Sequence, residues 1–312
     1  MRNLVGYGAN PPIVKWPQNA KIAINFVINY EEGAEANILD GDSGSENFLA
    51  EIAGLTSAKG IRNYFTESIF EYGSRAGIWR LLNIVADFDL PVSLFATGLA
   101  LERNHELSNF LAKTKHEIVG HGYRWIDYNN VSKEEECEHI RLTLNAIKSL
   151  TDKQPTGWYT GRCSHHTRQL IVEAGLLYDS DNYADDLPYW TLVNNKPHLI
   201  IPYTFDNNDA KYSMSPGWMS GDDFFRYLCA GFDCLYREGS YSPKMMTIAL
   251  HGRLSGRPGR AESIKRFIEY TLKHNDVWYC TRAEIAEYWM ENYPYNIPYR
   301  NSYLDSTSKS IK

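Results

Sequence analysis

The sequence predicts a single α/β domain on a mainly parallel sheet, most simply a (β/α) barrel of seven or eight strands. Three observations carry this reading. Short apolar runs alternate with amphipathic helical stretches from end to end, no linker or compositional break interrupts them, and polar clusters recur just past the apolar runs. With 312 residues and 43% hydrophobic content, the chain can bury one barrel-sized core.

Taken in order, residues 1–20 read as an irregular arm containing Pro11, Pro12 and Pro17, residues 21–292 as the barrel, and residues 293–312 as a tail. The run Ile22-Ala23-Ile24-Asn25-Phe26-Val27-Ile28 is short, β-branched and almost continuously apolar, the pattern of a strand buried on both faces. Glu31 and Glu32 stand at its carboxyl end, and Gly33 breaks it. The polar passage 33–74 reads as one long loop, functional or interfacial, whose tail 67–73 either touches substrate or simply covers the domain. Ile78, Leu81, Leu82 and Val85 share one helical face. A strand over 91–98, a helix near 100–113 and a short strand over 117–120 lead to His121. Ser132 has capping-box spacing to Glu135 and opens a helix to about residue 150, with Cys137, Ile140, Leu144 and Ile147 inward. Strands follow near 157–159, 176–178 and 199–203, with a helix near 165–174. A helix over 220–237 precedes the buried strand 245–250, which ends at His251. Pro258 marks a helix running to 273, residues 277–280 form a last strand, and Thr281 with Glu284 caps the final helix.

Composition narrows the function classes. A formal charge of -6 and no Lys/Arg block argue against nucleic acid and anionic membrane as partners. No run of about 18 apolar residues predicts a membrane span, and the first dozen residues lack the apolar core of a secretory signal. Cys137, Cys163, Cys229, Cys234 and Cys280 are odd in number and form no Cys-x-x-Cys pair, so reduced thiols in the cytoplasm are expected.

Four polar clusters fall at predicted strand carboxyl ends: Glu31-Glu32, His121-Gly122-Tyr123-Arg124-Trp125, Tyr159-Thr160-Gly161-Arg162, and His251-Gly252-Arg253. In a barrel such ends converge on one mouth, where chemistry is done. The order and spacing of these clusters resemble the polysaccharide deacetylases. That resemblance implies a first acid as general base, a second acid and two histidines holding a divalent metal, and a late histidine as general acid. Residue by residue, Glu31 falls on the base, Glu32 on the metal acid, His121 on the first histidine ligand, Arg162 on a motif arginine and His251 on the late histidine. The position of the second histidine ligand is Trp125, and an indole N–H is a donor that cannot ligate a cation. One imidazole and one carboxylate fall short of a catalytic zinc set.

One branch with this altered pattern is the metal-independent allantoinases. Asn29-Tyr30-Glu31-Glu32-Gly33, Trp125-Ile126-Asp127-Tyr128, Gly157-Trp158-Tyr159-Thr160-Gly161-Arg162, the stretch from Tyr178 through Asp181, Tyr183, Asp185 and Asp186 to Tyr189-Trp190, and Leu250-His251-Gly252-Arg253 all resemble that branch. The resemblance implies a deformed (β/α)7-type barrel of the polysaccharide deacetylase kind and a tetramer. It also implies metal-free opening of the hydantoin ring of allantoin to allantoate. Catalysis then falls to Glu31, Glu32, His121, Arg162 and His251, with Tyr30, Trp125, Tyr159, Asp181, Tyr189 and Trp190 lining a pocket for a small cyclic ureide. Either glutamate serves as base, and paired carboxylates push one pKa upward. His251 serves as acid, while His121, Tyr159 and Arg162 orient the ureide or steady the oxyanion. Rival readings stay open: Arg162 as an ion-pair partner of Glu31 or Glu32, the arginines of 253–260 as an anion or subunit contact, and the acidic run from Asp179 to Asp186 as a metal loop rather than a pocket wall. For the whole protein the rivals are an atypical de-N-acetylase with a weak divalent ion at Glu32 and His121, and a catalytically inactive barrel.

Overall fold

The computed structural model describes residues 2–52 and 54–295, so the predicted tail beyond 295 lies outside the described residues. Its centre is β1 (Ile22–Tyr30), in which all nine residues are buried. Eight strands follow: β2 (Val92–Ala96), β3 (Glu117–Gly120), β4 (Gly157–Trp158), β5 (Tyr178–Asp179), β6 (Tyr189–Val193), β7 (Lys196–Ile200), β8 (Lys244–His251) and β9 (Val277–Tyr279). They form one sheet in the order β6-β7-β5-β4-β3-β2-β1-β8, with β9 also on β1. Every pairing is parallel except β6 with β7. The helices are α1 (Tyr64–Tyr72), α2 (Ile78–Asp87), α3 (Gly98–Arg103), α4 (His105–Leu111), α5 (Lys133–Thr151), α6 (Thr167–Glu173), α7 (Gly221–Glu238), α8 (Pro258–Thr271) and α9 (Arg282–Asn292).

The sheet curls into a deformed barrel whose last gap, between the edge strands β6 and β8, is crossed by irregular chain. There the Ala249 amide donates to the Asn207 carbonyl (3.0 Å) and the Met245 amide to that of Asp186 (3.1 Å). The alternation of strand side chains then sorts the interior. On β1, Ile22, Ile24, Phe26, Ile28 and Tyr30 pack against the helix layer with Leu81, Phe224, Phe232, Ile264 and Phe267. Ala23 and Val27 face the other way, with Phe95, Val119, Tyr159, Tyr178, Tyr203 and Ala249, and this is the lumen. Asn25 also faces the lumen, where the fully buried Arg282 donates to Asn25 Oδ1 (3.2 Å) and Thr247 Oγ1 (3.0 Å). A polar residue inside β1 is tolerated because Arg282 gives it a partner.

Four expectations need correction. The strand expected at 199–203 is the end of a hairpin, β6 to β7, turning at Asn194 and Asn195 with φ of 50° and 62°. Asn-rich two-residue turns tolerate that left-handed geometry, which is how the sheet reaches nine strands. The passage 33–74 is not loop throughout, since Asn63 caps α1 within it. The helix expected near 100–113 is two helices that meet at Asn104, whose side chain caps α4. Cys137 is exposed. The neighbouring Glu136 is buried instead, because its carboxylate accepts from the Ser164 hydroxyl (2.5 Å) and from that of Thr167. The arm ends in Trp16, buried against Trp278 and Trp289 with its indole N–H on the Lys244 carbonyl (3.0 Å). Among the described residues no helix is long and apolar enough to cross a membrane.

Candidate active site

The lumenal alternation Asn25, Val27, Asn29 continues past the end of β1 to Glu31, which therefore points into the barrel mouth; Glu32 points the opposite way. On β8 the same alternation brings Thr247, Ala249 and His251 inward, and β3 delivers His121 from its end. The histidines meet on one oxygen. His121 Nε2 lies 3.0 Å and His251 Nε2 3.5 Å from Glu31 Oε1. Each ring is fixed from behind, His121 through Nδ1 on the Tyr159 carbonyl (2.6 Å) and His251 through Nδ1 on Asp209 Oδ1 (2.6 Å). A carbonyl only accepts, so His121 Nδ1 is the donor to it. Asp209 is fully buried and its other oxygen accepts from the His251 amide (2.7 Å) and the Ser255 amide (3.0 Å). It sits in a short 3₁₀ turn after Asn208, and no periodic or motif signal in the sequence points to it.

The cation of the site is Arg253. Its Nη2 donates to Glu31 Oε2 (2.5 Å) and its Nη1 to Glu32 Oε1 (3.4 Å), while its amide donates to Glu32 Oε1 as well (3.2 Å). The guanidinium lies 4.5 Å from the Phe70 ring centre and 4.8 Å from that of Trp125, and no part of the residue reaches solvent. Glu32 is wedged behind it. Its Oε2 accepts from the Glu31 amide (3.2 Å), and a side chain at Gly73 would run into its carboxylate, so glycine is required there.

Electrostatics separate the two glutamates. Burial alone would raise the Glu31 carboxyl, but Arg253, His251 and the His121 hydrogen bond outweigh it and hold it well below the usual carboxylate range. For Glu32, burial wins over Arg253, and the neighbouring charge of Glu31 adds to it, so its pKa is raised. His251 is pushed up to about 9, because Asp209 and Glu31 overcome the burial that would lower it.

The other predicted site residues spread out. Arg162 pairs with neither Glu31 nor Glu32. It donates to Glu46 Oε2 (3.1 Å) and the Trp125 carbonyl (2.6 Å), and its guanidinium lies 4.3 Å from the Trp125 ring centre. The place beside the carboxylates belongs to Arg253, which follows a strand adjacent to β1, whereas Arg162 follows β4, three strands away. Trp125 is buried with Phe48, Phe70, Leu49 and Ala50. Tyr159 stacks on His121 (5.2 Å between centres) and its hydroxyl meets that of Tyr183 (2.9 Å). Tyr30 faces away from the histidines, toward Ser74 (2.8 Å) and Asn104 (2.9 Å). Asp181 holds the loop after β4 through the Thr160 and Gly161 amides. Tyr189 and Trp190 lie on the edge hairpin, where the Trp190 indole donates to the Tyr293 carbonyl (2.7 Å). Asp179 of the acidic run is tied to Arg168 and His198, and among the described residues no group of three or more His, Cys, Asp or Glu is arranged to hold a metal.

The polysaccharide deacetylase profile matches residues 66–178. A Schizosaccharomyces pombe protein described as a polysaccharide deacetylase is 42% identical over 315 residues, which cover 94% of this chain and 98% of that protein. The chain belongs to the polysaccharide deacetylase family. Within this hydrolytic family, the crystal structure of PuuE allantoinase is 48% identical over 95% of this chain and 99% of its own, with a TM-score of 0.92. A Pseudomonas aeruginosa structure described as a polysaccharide deacetylase is 46% identical with the same coverage and TM-score. In this deacetylase-family member the metal set that the family resemblance implies does not fit. Trp125 offers no lone pair, and the charge between the glutamates is already balanced by the Arg253 guanidinium.

Proposed function

We propose that the protein opens the hydantoin ring of allantoin by water to give allantoate, a cyclic-amide C–N hydrolysis run on Arg253 in place of a metal. The observation that carries this reading is enclosure. Glu31, Glu32, His121 and His251 are each at most 3% exposed, and Leu49 and Ala50 pack on Phe70 and Trp125 around Arg253, which does not reach solvent and donates to the Leu49 carbonyl. Reacting groups this buried suit a small compact ureide that can be taken in whole better than a polymer chain. The likeness to PuuE allantoinase points the same way.

Geometry favours Glu31 as the base, since its Oε1 is the oxygen that both imidazoles address, whereas both oxygens of Glu32 accept from backbone amides. Water attacks the ring carbonyl and its proton passes to Glu31. The C–N bond then breaks, and the leaving nitrogen takes a proton from His251, which is protonated at neutral pH. The buried Arg253 charge lowers the cost of the oxyanion that forms between these steps. A second reading, de-N-acetylation of an acetylated sugar, is favoured by the descriptions of the Schizosaccharomyces and Pseudomonas relatives. Incubation with allantoin, followed by NMR detection of allantoate, tests the proposal. Acetate released from an acetylated chitin oligomer, with allantoin untouched, overturns it.

A further inference from the structure

Substrate cannot reach carboxylates this buried unless a covering segment moves, and residues 46–51 are built to be that segment. Leu49 (φ 54°) and Glu51 (φ 69°) both hold left-handed backbone without being glycine, so the strap has no regular structure to propagate. Among the described residues, the backbone of 48–51 meets the barrel beyond its own loop through a single hydrogen bond, from Arg253 Nε to the Leu49 carbonyl (3.0 Å). Apart from the Glu46 amide on the Ala36 carbonyl (2.7 Å), which hinges its start, the remaining fastenings are side chains. Leu49 and Ala50 bury against Phe70, Trp125 and Ala210. Glu46 pairs with Arg162 (3.1 Å). Glu51 receives both guanidinium nitrogens of Arg260 (3.0 and 2.9 Å), with Arg257 behind it at 3.5 Å.

We infer that Glu51 and Arg260 are positioning residues for the reaction: their ion pair latches the strap 46–51 shut, and the shut strap sets Arg253 through the Leu49 carbonyl. Arg253 is the link because one guanidinium serves three acceptors. Its Nε is on the strap, its Nη2 on Glu31 and its Nη1 on Glu32. Closing the strap therefore completes the charge arrangement around the base, and opening it admits substrate and water. Neither Glu51 nor Arg260 touches the reacting groups. Arg260 is anchored independently at the start of α8, with its guanidinium 4.2 Å from the Tyr212 ring centre, so the latch half on the barrel stays in place when the strap lifts.

This inference rests on the hydrolase reading for its rate measurement but not for its motion measurement. The test uses Glu51→Gln, Arg260→Gln, and the exchanged pair Glu51→Arg with Arg260→Glu, each in the full chain. Amide hydrogen exchange of residues 47–51, without substrate, is expected to speed up at least about fivefold in both single variants, the size expected for loss of a half-buried bidentate pair. Exchange in β1 and β8 should stay unchanged. On allantoin, kcat is expected to fall by a similar factor with a smaller change in KM, because the lost interaction acts on the closed, reacting state. The exchanged pair should recover at least half of both effects. Unchanged protection of 47–51 in Glu51→Gln overturns the latch whatever the substrate proves to be. A kcat loss that comes with loss of protection throughout β1, or with no change in strap exchange, assigns the pair a merely structural role and overturns it as well.

Discussion

Two buried carboxylates in this barrel are each flanked by histidine and arginine, and only one turns an oxygen toward two imidazoles. Asp179, at the end of β5, takes Arg168 through Nε (2.7 Å) and Nη2 (3.0 Å), His198 Nε2 (3.1 Å) and the Asp181 amide (3.1 Å). Its oxygens are saturated by one bidentate cation and fixed donors, which makes a strut. Glu31, at the end of β1, gives one oxygen to Arg253 and leaves the other facing two imidazoles that are held from behind. The same residue types thus serve different ends. What separates them is that both Asp179 oxygens are taken up by the arginine fork and further donors, whereas one Glu31 oxygen is addressed by the two imidazoles alone.

The comparison breaks most sharply on the two carboxyls. Glu31→Gln should cost allantoin turnover of the folded protein on the order of a thousandfold, within the range of a lost general base. Asp209→Asn should lower kcat by about a hundredfold, because His251 loses the anion behind Nδ1. It should also move the alkaline limb of the rate profile, set by His251 at about 9, to lower pH. Asp179→Asn should do the converse: turnover of the folded protein stays intact while denaturant unfolding shows a loss of about 2 kcal/mol. That figure sits below the value for a fully buried pair because Arg168 is 36% exposed. A further effect is on stability against pH. His251 has a folded pKa above its unfolded value of about 6.5, so its contribution is fully present below that pH. It should be lost as pH rises through about 9. Comparing pH-dependent unfolding of wild type with His251→Gln checks this slope, which the variant should lack.

Much of this was legible in the sequence because the apolar runs were strong and the polar residues followed them directly. Glu31, His121 and His251 each end a buried parallel strand, and strand ends in a barrel share one mouth. Arg162 misled because it also follows a strand, and sequence gives no measure of how many strands separate it from β1. Arg253 stood beside His251 with nothing to say which way its long side chain reached. Asp209 is invisible for another reason: it opens a short 3₁₀ turn in the chain linking β7 to β8, where neither strand alternation nor α-helical period applies. The β6–β7 hairpin did carry a signal, Asn194-Asn195 between strand-like runs, and was missed because the helix–strand rhythm predicted a parallel strand there.

In the proposed hydrolysis a fixed buried guanidinium, that of Arg253, supplies the positive charge. The most direct measurement is allantoin turnover by wild-type and Arg253→Lys protein, each with a strong chelator and with added zinc. Lysine keeps the charge and loses the forked reach to both glutamates, so the variant should fall by about a hundredfold. The wild-type rate should be unmoved by chelator, and zinc should not rescue the variant, since Trp125 supplies no ligand. Loss of wild-type turnover on chelation, or recovery of the variant with zinc, would contradict that role for Arg253.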